Sequence, residues 1–116
     1  MPRAKGGYKT RRRRKRVLKQ AKGYWGARRK LYASAKETVD RALAFAFAGR
    51  KQKKRQYRSL WITRLSAGAK GLQMSYSRLI HGLKAANIEL DRRVLADLAM
   101  SDPKAFAAIA SVAKQA

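Results

Sequence analysis

Fifteen Lys and Arg fall within residues 1–36, with no Asp or Glu before Glu37. The densest part is residues 9–30. It holds Lys9, the unbroken block Arg11, Arg12, Arg13, Arg14, Lys15 and Arg16, then Lys19 and Lys22. The aromatic pair Tyr24-Trp25 follows between Gly23 and Gly26, and then Arg28, Arg29 and Lys30. A segment of this kind cannot neutralise itself, so its expected partner is a polyanion. Nor can it build a core. Its sizeable apolar groups are Met1, Tyr8, Val17, Leu18, Tyr24 and Trp25. Those few must oppose a backbone ordering cost of ~1–2 kcal/mol per residue. The segment is expected to be disordered or extended alone and ordered on its partner. Thr10 is a candidate cap for a helix over 11–22 ending near Gly23. Its like-charge i,i+4 pairs, Arg11 with Lys15 and Arg12 with Arg16, each weaken it by ~0.2–0.5 kcal/mol. Phosphates would reverse the sign of those interactions.

Charge falls along the chain. Of the net +24 over 116 residues, +15 lies in 1–36, +7 in 37–70 and +2 in 71–116. That balance points to nucleic acid, less often to an anionic membrane. There is no cysteine and one histidine, which excludes disulfides, thiolate metal sites, thiol catalysis and a His-rich metal site. The basic N-terminus is followed by no apolar run, and no stretch nears the roughly 20 apolar residues of a membrane span. The expectation is a soluble, intracellular protein.

Residues 27 to about 70 lack proline and are rich in helix formers. Leu31, Ala35, Val39, Ala42 and Ala46 recur at helical spacing, and Tyr57, Trp61, Leu65 and Leu72 continue an apolar stripe. Between them lies a second basic block, Arg50, Lys51, Lys53, Lys54, Arg55 and Arg58. One helix over 27–70 would be roughly 65 Å long, too long for a globule this chain can build. It is expected to lie on something external. Gly49 either bends it, divides it or is absorbed. After Gly71 the pattern becomes that of a small helical domain. Ser75 caps a helix over 76–86 with Tyr76, Leu79, Ile80 and Leu83 on one face. Asp91 caps a second, with Val94, Leu95 and Leu98 inward. Asp102 caps a third, with Pro103 at its first position and Phe106, Ile109 and Val112 on one face. The expected organisation is an extension over 1–71 and a three-helix domain over 72–116.

Two basic blocks on one chain favour phosphate neutralisation over a solvated charge run. Tyr24-Trp25 has two readings, stacking on unpaired bases or local packing. Trp61 fits the apolar stripe, because Leu65 continues its spacing. His81 stands without a Cys, Asp or Glu beside it and reads as a helix-surface residue. The acids are scattered, and no glycine-rich loop precedes a lysine and a helix. No catalytic residue, metal site, cofactor or small-molecule substrate is expected. An irregular polyanion with clefts, such as folded RNA, suits an arm and a long helix better than duplex DNA does. The alternatives are a DNA-compacting architectural protein and a membrane-active polycation. The latter is disfavoured because 9–30 is cationic nearly all round.

Four blocks carry a specific resemblance. They are Met-Pro-Arg-Ala-Lys at 1–5, Val-Leu-Lys-Gln-Ala-Lys-Gly-Tyr-Trp-Gly at 17–26, Lys-Lys-Arg-Gln-Tyr-Arg-Ser-Leu-Trp-Ile-Thr-Arg at 53–64, and the run from Gly82 to Ala99. In order and over essentially the whole chain, they resemble the bacterial large-subunit ribosomal protein L-twenty family. The resemblance implies an all-α fold, with a long basic helical N-terminal extension penetrating ribosomal RNA and a small C-terminal domain at its surface. It implies a non-catalytic role early in large-subunit assembly. The implied partners are large-subunit ribosomal RNA, neighbouring ribosomal proteins and, in some members, the messenger RNA of their own operon. The place of action is the cytoplasmic ribosome. Carried over by motif, the RNA-facing candidates in the extension are Arg3, Lys5, the 11–16 block, Lys19, Lys22, Trp25, Arg28, Arg29 and the basic residues from Arg50 to Arg64. In the terminal domain they are Arg78, His81, Lys84, Asn87, Arg92 and Arg93.

Overall fold

The computed structural model describes residues 2–116. Met1, counted above among the sizeable apolar groups of the extension, lies outside the described residues. The fold is all-α, as expected, with no strand among the described residues. The helices are α1 (Lys9–Gln20), α2 (Ala27–Lys30), α3 (Tyr32–Gly71), α4 (Tyr76–Ala85), α5 (Arg92–Ser101) and α6 (Pro103–Gln115). Two compact units divide the chain, Met1–Lys51 and Gln52–Ala116.

In the first unit, the helix expected over 11–22 forms over 9–20. Thr10 does not cap this helix. The helix starts two residues earlier, from Tyr8, without a side-chain cap. The cause is the preceding glycine turn. Gly7 takes φ +57°, Lys9 N–H donates to the Gly6 carbonyl at 3.3 Å, and Arg12 N–H donates to the Tyr8 carbonyl at 2.9 Å. Ala21, Ala35 and Val39 form a small buried cluster, with Val17, Leu18 and Tyr24 packed against it. The long helix is not continuous from residue 27. Leu31 is extended, at φ −86° and ψ 126°, and separates α2 from α3. This break lets Ala35 and Val39 rather than Leu31 meet α1, and Leu31 remains 60% exposed. Beyond Leu31, α3 runs unbroken through Gly49. Ala46, expected on the buried stripe, is exposed, because the small α1 cluster extends only as far as Val39.

In the second unit the three expected caps form. Ser75 Oγ accepts from Arg78 N–H at 3.2 Å, Asp91 Oδ1 from Val94 N–H at 2.8 Å and Asp102 Oδ1 from Ala105 N–H at 3.2 Å. Two helices end in the same way. Gln73 takes φ +61° after α3, with Met74 N–H donating to the Ala69 carbonyl at 2.9 Å and Gln73 N–H to Lys70 at 3.1 Å. Asn87 takes φ +58° after α4, with Ile88 N–H donating to Leu83 at 2.9 Å and Asn87 N–H to Lys84 at 3.1 Å. Both are Schellman closures that satisfy the last carbonyls and reverse the chain.

The core of this unit is Leu65, Ala69, Met74, Leu79, Leu83, Leu95, Ala96, Phe106, Ala110 and Ala113, with Trp61 and Leu72 against it. The end of α3 thus contributes to the core of α4, α5 and α6. Two inward assignments fail. Val94 and Val112 are exposed, and Ala96, Ala110 and Ala113 are buried instead. For α6 the reason is its close approach to α4. A Cβ added at Gly82 of α4 would clash with the Ala113 carbonyl oxygen of α6. Helices that near can place only small residues between them. Leu65 is fully buried. Leu65→Ala is expected to lower the stability of the full chain by about 2–5 kcal/mol, through lost transfer energy plus a cavity. Thermal or urea unfolding followed by circular dichroism measures it.

Candidate nucleic-acid interface

The cations of the first unit are displayed rather than paired with a core. Arg3 and Lys5 lie in the irregular segment before α1. Lys9, Arg11, Arg12, Arg13, Arg14, Lys15, Arg16 and Lys19 are all exposed on α1, which buries no residue of its own. Lys22 follows in the turn, and Arg28, Arg29 and Lys30 make up most of α2. The aromatic pair is split. Tyr24 is half-buried against the Ala21–Ala35–Val39 cluster, and Trp25 is 91% exposed. Local packing is therefore the right description of Tyr24 in the free chain. It does not describe Trp25.

Two cations of α1 rest on rings. The Arg14 guanidinium lies 5.0 Å from the Tyr32 ring centroid, and that of Arg12 lies 5.5 Å from Tyr8. Such contacts contribute ~0.5–1 kcal/mol at exposed sites. A stacked guanidinium keeps its N–H edge available to an anion. On α3 the second block behaves alike. Lys51 Nζ is 4.6 Å from the Phe47 ring centroid and Lys53 Nζ is 5.7 Å from that of Tyr57. Arg50, Lys51, Lys53, Lys54, Arg55 and Arg58 are exposed, and Arg64 is half-buried.

In the second unit the expected residues fall into two groups. Arg78 and His81 line one cleft of α4 and α6, with Gly82, Ala113 and Lys114. Lys84, Asn87 and Arg92 line another, with Glu89 and Leu90. Arg92 also has an internal task, since its Nε donates to the Tyr76 hydroxyl at 2.7 Å and ties the start of α5 to α4. Arg93 is exposed. Sequence reasoning missed Lys114. It sits in the last turn of α6, and only the packing of α6 on α4 brings it beside Arg78 and His81. No local pattern could have signalled it. Among the described residues no polar or charged side chain is buried, and no three His, Cys, Asp or Glu gather as metal ligands. Among the described residues no helix is long and apolar enough to cross a membrane.

These features define a class: an all-α, strongly cationic scaffold with an exposed basic surface. Comparison with known proteins gives the family. The model of ribosomal protein L20 matches residues 3–109. The large ribosomal subunit protein bL20 of Geobacter metallireducens is 64% identical over 114 residues, covering 98% of this chain and 97% of the relative. Proteins of the same name from Citrifermentans bemidjiense and Geobacter sulfurreducens are 63% and 62% identical, each over 98% of this chain and 97% of the relative. The chain belongs to the ribosomal protein L20 family. It is a ribosomal structural protein and not an enzyme.

Proposed function

We propose that this protein is a component of the large subunit of the cytoplasmic ribosome that binds large-subunit ribosomal RNA directly and promotes early subunit assembly. The observation that supports this most is the display of charge on α1, where eight Lys and Arg are exposed on a helix that buries nothing of its own. Such a helix is destabilised by its own like charges and stabilised by phosphates on several sides. The proposed working division is an extension over 1–71, engaging RNA along α1, α2 and α3, and a terminal part over 72–116 that offers the two basic clefts of α4–α6. Neighbouring large-subunit proteins are the proposed partners of whatever surface RNA leaves free. The messenger RNA of its own operon is a proposed second ligand of the terminal part.

Competition separates this reading from the DNA-compacting alternative. The full chain bound to labelled, protein-free large-subunit ribosomal RNA is challenged with equal nucleotide concentrations of duplex DNA or unlabelled ribosomal RNA. The ribosomal RNA is expected to displace the label at far lower concentration. Equal displacement by duplex DNA would favour the alternative.

A further inference from the structure

We propose that Trp25 stacks on an unpaired base of the bound RNA, so that one position of the extension reads exposed bases rather than phosphate charge. This rests on the RNA-binding reading above and adds to it a contact of a different kind. The turn that carries Trp25 is built to present it. Tyr24 N–H donates to the Ala21 carbonyl at 3.2 Å, and the Tyr24 ring packs against the small cluster of α1 and α3. On the other side, Gly26 takes φ 61° and ψ −131°, a conformation open essentially to glycine alone. Gly23 takes φ +92°. The turn is thus anchored through one ring and turns the next one out.

The exposure is unusual for this residue type. An indole carries on the order of 150–250 Å² of mostly apolar surface, which water solvates poorly. The chain's other tryptophan, Trp61, packs against the core of the second unit. Trp25 has no such cover. Its sequence neighbours argue for the occupant. Lys22, Arg28 and Arg29 lie within four residues, with no acid before Glu37. A basic track interrupted by an exposed aromatic is the arrangement that holds single-stranded nucleic acid, with cations on the backbone and the ring on a base face. Bases stacked inside a duplex are closed to such a ring, so the target is a loop, bulge or junction.

The test uses the full chain with Trp61→Phe, which leaves Trp25 as the sole indole. The probe is protein-free large-subunit ribosomal RNA. Trp25 emission is expected to be quenched on binding. In the unmodified background, Trp25→Ala is expected to weaken binding about tenfold while leaving the slope of log affinity against log salt unchanged. Trp25→Phe is expected to retain most of the affinity. The proposal is overturned if RNA binds while Trp25 emission stays unchanged, which would leave the ring for a protein neighbour. It is equally overturned if Trp25→Ala binds as tightly as the native chain, or if the loss comes with a shallower salt slope. A chain that binds this RNA at no salt concentration would sink the RNA-binding reading itself, a distinct result.

Discussion

Gly82→Ala is expected to lower the melting temperature of the second unit by roughly 5–15 °C. The added methyl would clash with the Ala113 carbonyl oxygen and meet the Ala113 carbonyl carbon at 2.7 Å. Both are backbone atoms, in the last turn of α6, so no rotamer change relieves the clash. α4 and α6 must move apart, which opens the layer formed by Leu79, Leu83, Ala110 and Ala113. Overpacking of this kind costs about 1–3 kcal/mol and occasionally more. Alanine's better helix propensity returns at most ~1 kcal/mol. A core this small supplies only ~3–5 kcal/mol in all, so the net loss is a large part of it. Gly71→Ala is the control, because an added methyl there meets nothing within 4 Å. It is expected to be neutral or slightly stabilising. Calorimetry or circular dichroism on the two variants gives the comparison. Equal stability of Gly82→Ala and the native chain would contradict the close α4–α6 packing.

The second large effect is on binding. If the extension works by neutralising phosphates, affinity for ribosomal RNA should fall by about 10³–10⁵ between roughly 50 and 200 mM salt, the loss found for six to ten phosphate contacts. Changing Arg11, Arg12, Arg13, Arg14, Lys15 and Arg16 together to Gln removes six cations. It should make the log–log slope shallower by up to about 4, at ~0.7 per contact. The same variant removes the like-charge pairs along α1, and Gln is about as good a helix former as Arg or Lys. Loss of the Arg12–Tyr8 and Arg14–Tyr32 contacts offsets that relief, so helicity of the free chain is expected to change little while binding falls. That pairing rules out loss of helix as the cause. Filter binding across a salt series and circular dichroism of the same samples check both halves. An unchanged slope would remove the 11–16 block from the interface.

Sequence and structure agree where the signal is local. Ser75, Asp91 and Asp102 each accept from a backbone N–H three residues on, and Pro103 starts α6. A cap is a short-range bargain between one side chain and one turn, so it can be read from a few residues. The Trp61–Leu65 stripe was legible for a related reason, since its period is set within one helix. Features set by packing between helices were not legible. Nothing in Leu31 marks it as extended, and its break exists because Ala35 and Val39 find α1. Val112 fits its stripe by hydrophobicity, but the near contact of α4 with α6 selects Ala110 and Ala113. The same holds for the candidate interface. Its charge could be counted in advance. The separation of Tyr24 from Trp25, the hydrogen bond of Arg92 to Tyr76 and the place of Lys114 beside His81 could not.

From residue 43 to residue 60, every side chain of α3 is exposed. A helical stretch of that length without tertiary support is only marginally stable in water. A copy that has not reached RNA therefore offers proteases an easily opened middle, in a region rich in the Lys and Arg that trypsin-like enzymes cleave. If the extension engages RNA as proposed, a seated copy would hide the same peptide bonds. Surplus protein would thus be cleared faster than assembled protein, and its lifetime would track the supply of unoccupied RNA.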